Sequence, residues 1–210
     1  MDIAIPLYPG FTALDAIGPY EVLGRLPGAR VVFLGHEAGP HRTDLGLDVV
    51  ADATFEEVPE PEIVMVPGGT GTRAALQDER LVDWIRTAHA SSQWTTSVCT
   101  GALLLGAAGV LQGLSATTHW LQRPALERFG ARAVSDRVVI EGKVITAAGV
   151  SSGIDMALRL AVELAGEHVA KGAQLMIEYE PEPPFHSGSV ETADPALVEA
   201  MREGWRPEQG

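Results

Sequence analysis

The stretch Trp94-Thr95-Thr96-Ser97-Val98-Cys99-Thr100-Gly101-Ala102-Leu103-Leu104-Leu105 changes character within a few residues. Trp94–Val98 is aromatic and β-branched, a composition that suits a strand. From Gly101 to Leu111 small and straight-chain apolar residues take over, as in a buried helix. A strand passing into a helix across a sharp turn is the repeating joint of an α/β fold. This joint also holds the single cysteine of the 210 residues. A thiol beside a helix N-terminus is expected to have a lowered pKa and to favour the nucleophilic thiolate. A buried cysteine that packs as a small hydrophobe fits the same position, and position alone leaves both meanings open.

The same alternation extends in both directions. Further strands are expected at Ile3–Tyr8, Arg30–Leu34, Ile63–Val66 and Val144–Ala147, most of them uniformly apolar. Such strands are buried on both faces, as in a parallel sheet covered by helices. Helices are expected at Ala16–Leu26, Glu79–Ala90, Gly101–Leu111, Leu121–Phe129 and Ile154–Ala165. The predicted class is therefore α/β, a doubly wound sandwich on a mainly parallel central sheet. Leu45–Asp52 reads as an antiparallel excursion. Val138–Ile140 and Val144-Ile145 read as a hairpin turning at Glu141-Gly142-Lys143. No repeat or linker divides the chain, so one domain over residues 1–210 is expected. Its Glu180–Phe185 segment is extended by three prolines, and its tail is frayed over about 203–210.

Composition narrows the partners. Asp and Glu number 28 against 15 Lys and Arg, a formal charge of −13, which is unsuited to nucleic acid or an anionic membrane. One cysteine allows no intrachain disulfide and no cysteine-rich metal site. Met1–Tyr8 lacks a basic leader region, and no apolar run approaches ~18 residues, so a soluble cytoplasmic protein is expected.

Ligands of doubly wound sheets bind beyond the carboxyl ends of the strands. Three unusual segments should converge there: Tyr8–Asp15, Val66–Gly71 and Cys99-Thr100-Gly101. Gly68 and Gly69, with the Thr100 amide, offer backbone N–H groups for an oxyanion cradle, or form a plain loop with positive φ. Asp15 stands in the apolar run Ala13–Ile17, either as a helix N-cap or as an acid–base partner of Cys99 with a raised pKa. His119 could serve Cys99 as a base, or belong to a capping cluster in which Thr118 starts the next helix. Ser152 and Asp155 read as a structural capping box, and Leu175-Met176-Ile177 as core. The remaining histidines lack metal-site spacing, and no metal or organic cofactor is expected.

Taken together, Leu14-Asp15-x-x-Gly18-Pro19-x-Glu21-Val22-Leu23, Val66-Pro67-Gly68-Gly69 and Ser97-Val98-Cys99-Thr100-Gly101 resemble the DJ-1/PfpI superfamily, and within it the isonitrile hydratase branch. Ala116-Thr117-Thr118-His119-Trp120, Ala148–Asp155 and Glu178-Tyr179-x-Pro181-x-Pro183-Pro184-Phe185 continue the likeness. The resemblance implies a homodimeric flavodoxin-like three-layer sandwich with Cys99 as nucleophile on a strained elbow and Asp15 hydrogen-bonded to it. It implies an enzyme that adds water to a small-molecule isonitrile through a covalent thioimidate, giving an N-substituted formamide. A glyoxalase- or amidase-like enzyme and a ligand- or redox-sensing domain are the alternatives. Thr100 stands where other branches often carry His, which leaves His119 a supporting role.

Overall fold

The apolar runs of the sequence become the middle strands of one sheet in the computed structural model, which describes residues 1–204. Strand β1 (Asp2–Pro6) leads to helix α1 (Ala13–Leu23) and strand β2 (Arg30–Gly35). A hairpin of β3 (Gly39–Arg42) and β4 (Asp48–Ala51) precedes the short β5 (Ala53–Thr54) and then β6 (Ile63–Val66). Helices α2 (Thr72–Ala75) and α3 (Glu79–Ser91) follow, then β7 (Trp94–Val98) and α4 (Gly101–Ala107). Next come β8 (Ser115–Ala116), a 3-10 stretch over Trp120–Phe129, and β9 (Arg132–Ala133). Strands β10 (Val138–Glu141) and β11 (Val144–Ala147) with helices α5 (Ser152–Ala165) and α6 (Glu167–Met176) complete a compact unit, Met1–Ile177. A second unit begins at Glu178 and contains helix α7 (Pro195–Gly204).

The central sheet has the order β10-β11-β7-β6-β1-β2-β5. Every pairing in it is parallel except the β10–β11 hairpin at one edge. Strands β6 and β11 are buried at every position, and β1 and β7 at all but the first. Such burial needs helices on both faces of the sheet, so the fold is a three-layer α/β sandwich. On one face α1 and α5 pack together where Gly153 lies against Pro19 and Val98, and a β-carbon there would meet both at 3.1–3.2 Å, tighter than ordinary contact. Because β1, β6, β7 and β11 are parallel neighbours, the loops leaving their carboxyl ends gather at one edge.

Several expectations change in detail. Helix α1 starts at Ala13, so Asp15 lies inside it, and the N-cap position belongs to Thr12. The antiparallel excursion exists as a hairpin, but Leu45–Leu47 forms its exposed tip, and the pairing joins Gly39–Arg42 to Asp48–Ala51. Leu121–Phe129 is coiled as 3-10, not α, with Pro124 withholding a backbone donor in mid-stretch. Helix α4 ends at Ala107, and Gly109 follows at φ 82. The Ser152 capping box does not form. Ser151 is the N-cap residue, the Ser152 hydroxyl is buried without a partner, and Asp155 pairs with Arg137 at 2.7 Å. Helix α6 buries Ala170 and Ala173, which turns Leu175 and Met176 outward to 77% and 71% exposure. Part of the frayed tail, 205–210, lies outside the described residues; Glu203 and Gly204 close α7.

Candidate active site

Cys99 sits between β7 and α4 at φ 55, one of two non-glycine residues with positive φ among those described. That conformation is costly for a side chain with a β-carbon and persists only when its surroundings enforce it. The enforcement is visible. The Cys99 amide donates to the carbonyls of Ala147 (3.1 Å) and Ala148 (2.9 Å) at the end of β11. The Cys99 carbonyl accepts from Thr118 Oγ1 at 2.6 Å. The residue is 5% exposed, almost wholly out of water.

The glycine loop after β6 is pressed against this elbow. A β-carbon on Gly68 would lie 2.4 Å from Thr100 N and 2.5 Å from Thr100 Oγ1, so only glycine fits. The Gly68 amide donates to Asp15 Oδ2 at 2.9 Å, and the Gly69 amide donates to Thr100 Oγ1 at 2.9 Å. Both amides are therefore engaged, which corrects the expected cradle of free Gly68 and Gly69 donors. The groups that lower the thiol pKa are the Thr100 and Val150 backbone N–H groups and the Thr100 hydroxyl. Val150 was not foreseen. It follows β11, and pairing of β11 beside β7 is what carries it to the elbow.

Thr100 is held from behind by a buried run of hydroxyls. Its Oγ1 lies 2.7 Å from Thr72 Oγ1, which lies 3.0 Å from Tyr8 Oη, and Tyr8 donates to the Pro67 carbonyl at 2.9 Å. Burial drives the Tyr8 pKa strongly upward, so the phenol stays protonated.

Asp15 is fully buried. Its carboxyl pKa is raised to about 7, chiefly by loss of hydration, against the opposing pull of the Gly68 amide and the Cys99 thiol. The thiol acts on the carboxyl as a hydrogen-bonding neighbour, while Oδ1 makes no fully aligned hydrogen bond. The pair is thus in contact, short of an ideal bond. Burial and the nearby Asp15 charge push the Cys99 thiol up to about 12. The lowered thiol pKa expected from the helix N-terminus is overturned. The Thr100 and Val150 donors pull the right way, but desolvation is the larger effect. Between about 7 and about 12 Asp15 and Cys99 therefore hold one proton between them, and they titrate as a unit.

His119 is the N-cap of the 3-10 stretch, its Nδ1 accepting from the Leu121 amide at 3.4 Å. Burial and the Arg123 charge lower its pKa, which keeps the ring neutral. The cap is His119 itself, while Thr118 serves the elbow. The ring packs over Gly149, where a β-carbon would approach Cδ2 to 2.7 Å. Among the described residues no cluster of His, Cys, Asp or Glu could hold a metal ion, and no helix is long and apolar enough to cross a membrane.

Known proteins are similar to this chain in sequence and fold. The DJ-1/PfpI family model matches residues 1–163. The isonitrile hydratase of Pseudomonas putida is 44% identical over 207 residues, covering 99% of this chain and 91% of the relative. The crystal structure of a ThiJ/PfpI family protein from Pseudomonas syringae superimposes with a TM-score of 0.94 at 41% identity, over 96% of this chain and 84% of the other. Drosophila melanogaster DJ-1beta shares the fold, with a TM-score of 0.78 at 24% identity over 86% of this chain and 98% of the other. With its cysteine elbow, its apposed carboxyl and a match from end to end, the chain belongs to the DJ-1/PfpI family.

Proposed function

We propose that the protein is an isonitrile hydratase in which Cys99 is the nucleophile and Asp15 the proton carrier. The observation that carries this reading is the burial of the Asp15 carboxyl and the Cys99 thiol at one elbow, with burial raising the pKa of each. The 44% identity to the Pseudomonas putida isonitrile hydratase supports the substrate class.

The terminal carbon of an isonitrile accepts a nucleophile if a proton reaches that carbon as the bond forms. In the singly protonated pair the proton moves from sulfur to the Asp15 carboxylate. The thiolate then attacks, forming the S–C bond, and Asp15 delivers its proton to the same carbon. The product is a thioimidate with sulfur, hydrogen and a C=N bond on one carbon. Asp15, again a carboxylate, draws a proton from water as the water oxygen adds to that carbon. Asp15 passes that proton to the nitrogen, and as the new hydroxyl becomes the formamide C=O the C–S bond breaks and the hydroxyl proton returns to sulfur. The net change is isonitrile plus water to N-substituted formamide, with the enzyme unchanged. Positioned proton transfer of this kind contributes roughly 10²–10⁴-fold. The Thr100 and Val150 amides hold the sulfur while it is charged, and His119, a neutral cap, supports the loop. The protein is read as a homodimer, consistent with the part-exposed Leu14 and Tyr20 of α1 and Val162 of α5.

The test is formamide release from a simple isonitrile by the wild type, Cys99→Ala and Asp15→Asn, with methylglyoxal as a parallel substrate. Formamide from the wild type alone, and a covalent adduct by intact mass that Cys99→Ala lacks, is expected. Turnover of methylglyoxal without the isonitrile would replace this reading with the glyoxalase-like one. Undiminished turnover by Cys99→Ala would overturn the mechanism.

A further inference from the structure

Asp44, at the tip of the β3–β4 hairpin, is tied to the Asp15–Cys99 pair by a closed series of bonds. Its Oδ2 accepts from Thr12 Oγ1 at 2.5 Å, and its amide donates to the Phe11 carbonyl at 2.9 Å. Thr12 in turn donates its amide to the Gly68 carbonyl at 2.8 Å and accepts from the Asp15 amide at 3.1 Å. Gly68 completes the ring through its own amide on Asp15 Oδ2 at 2.9 Å. A second oddity accompanies this. Asp44 Oδ1 is buried without a hydrogen bond, as is Asp15 Oδ1. A carboxylate with a buried, unpaired oxygen is unfavourable and calls for a reason.

We propose that Asp44 is a positioning residue for the Asp15–Cys99 pair, fixing the Thr12 loop and deciding which of the two groups holds their shared proton. This rests on the pair acting as proposed above, though not on the identity of the substrate. Like charges close together in a poorly hydrated site cannot both persist cheaply, so a negative Asp44 favours the neutral form of Asp15. Its charge raises the Asp15 pKa and is not among the main influences on Cys99. The effect is therefore differential. Within the singly protonated pair the proton is moved from sulfur towards Asp15, and the reactive thiolate gains population. The other titratable groups nearby do not compete. Tyr8 stays protonated at the end of β1, and the Arg42 guanidinium is engaged by Asp48 at 2.9 Å.

The test is the pH dependence of Cys99 alkylation by iodoacetamide in the wild type, Asp44→Asn and Asp44→Glu, followed by intact mass. It involves no isonitrile, so it stands or falls apart from the substrate assignment. At low pH the doubly protonated pair dominates. Thiolate there is set by the sulfur alone, so wild type and Asp44→Asn should react at the same rate. As pH rises, Asp44→Asn should level off earlier, with its midpoint at lower pH and its plateau rate reduced. Asp44→Glu, which keeps the charge, should follow the wild type. A uniform change in rate at every pH, an unmoved midpoint, or a midpoint moved to higher pH would each overturn the proposal. Asp44→Ser, which removes the charge but keeps a hydroxyl for Thr12, must give the same signature if Asp44→Asn does not fold.

Discussion

Placing a carboxyl at Asp15, with Oδ2 on the Gly68 amide and Oδ1 without a full hydrogen bond, opposes folding whenever the group is charged. Its pKa rises from an ordinary 3.8 to about 7 in the folded chain. The folded state therefore holds a proton that the unfolded state has released. Below pH 3.8 both states are protonated and the group contributes nothing. Between 3.8 and about 7 stability falls as pH rises, and above that the full penalty stands, of order 4 kcal/mol. Asp15→Asn is expected to remove this slope. Thermal unfolding should show the variant more stable than the wild type near pH 8 and no more stable near pH 4, while its hydratase activity is lost. Equal wild-type slopes in both proteins would mean that Asp15 is not the buried acid described. The same titration sets the rate. Hydratase activity should climb as pH rises through about 7, where the doubly protonated pair loses its first proton, and decline only towards the region where Cys99 ionises, about 12. Initial rates across pH measure this, and an activity highest well below pH 6 would contradict it. At this scale the sequence was most readable. Asp15, Cys99 and Thr100 stood out because a carboxyl in an apolar run and a thiol at a joint are each anomalous alone. The direction of the thiol shift was not readable, since it depends on how completely the elbow is dried.

Strand-end loops, more than strands or helices, carry the site, and they explain why some expectations held and others did not. The joint from β7 to α4 was legible because a change of residue type marks it. The engagement of the Gly68 amide was not, because its partner Asp15 lies 53 residues away. Val150 and Asp44 escaped notice for the same reason. An apolar residue after a glycine and an Asp in a turn are unremarkable until strand order places them beside the elbow. Local propensity misled where tertiary packing won. Burial of Ala170 and Ala173 turned two large apolar residues of α6 to solvent. The close approach of Gly68 to the Thr100 backbone gives a prediction. Gly68→Ala must push the β6 loop and the elbow apart, because the atom in the way is backbone nitrogen. Overpacking of this kind costs about 1–3 kcal/mol. The displaced loop carries the Asp15 partner with it, so kcat should fall much further than KM rises. A variant with wild-type kcat would show that the elbow tolerates the shift.

The whole sheet poses a different problem, which is how its two edges are closed. At one edge the β10–β11 hairpin turns an antiparallel strand outward, a device the Gly142 turn made legible in the sequence. At the other, β5 pairs with β2 only at Leu34–Ala53 and Gly35–Thr54, leaving the first part of β2 without a strand on the side away from β1. An open strand edge invites pairing with another chain. Asp52 closes part of the gap. Its amide donates to the Phe33 carbonyl at 2.7 Å, and its Oδ2 accepts the Phe33 amide at 3.1 Å, so a single residue imitates the missing ladder on both sides of Phe33. Nothing in the local sequence distinguishes this Asp from the other acidic residues of a chain carrying −13, because the role exists only once the side of β2 away from β1 lacks a strand there. Asp52→Ala keeps the backbone bond and deletes the side-chain acceptor, leaving the Phe33 amide unpaired in a part-buried position. That should lower stability by about 1–3 kcal/mol and free the edge for association. Urea unfolding with light scattering at rising protein concentration measures both. Asp52→Asn, which retains an acceptor oxygen, should recover most of the loss. Because Asp52 is remote from the Cys99 loops in sheet order, the folded fraction of Asp52→Ala should keep wild-type kcat, and a collapse of kcat without loss of stability would refute the edge-closing role.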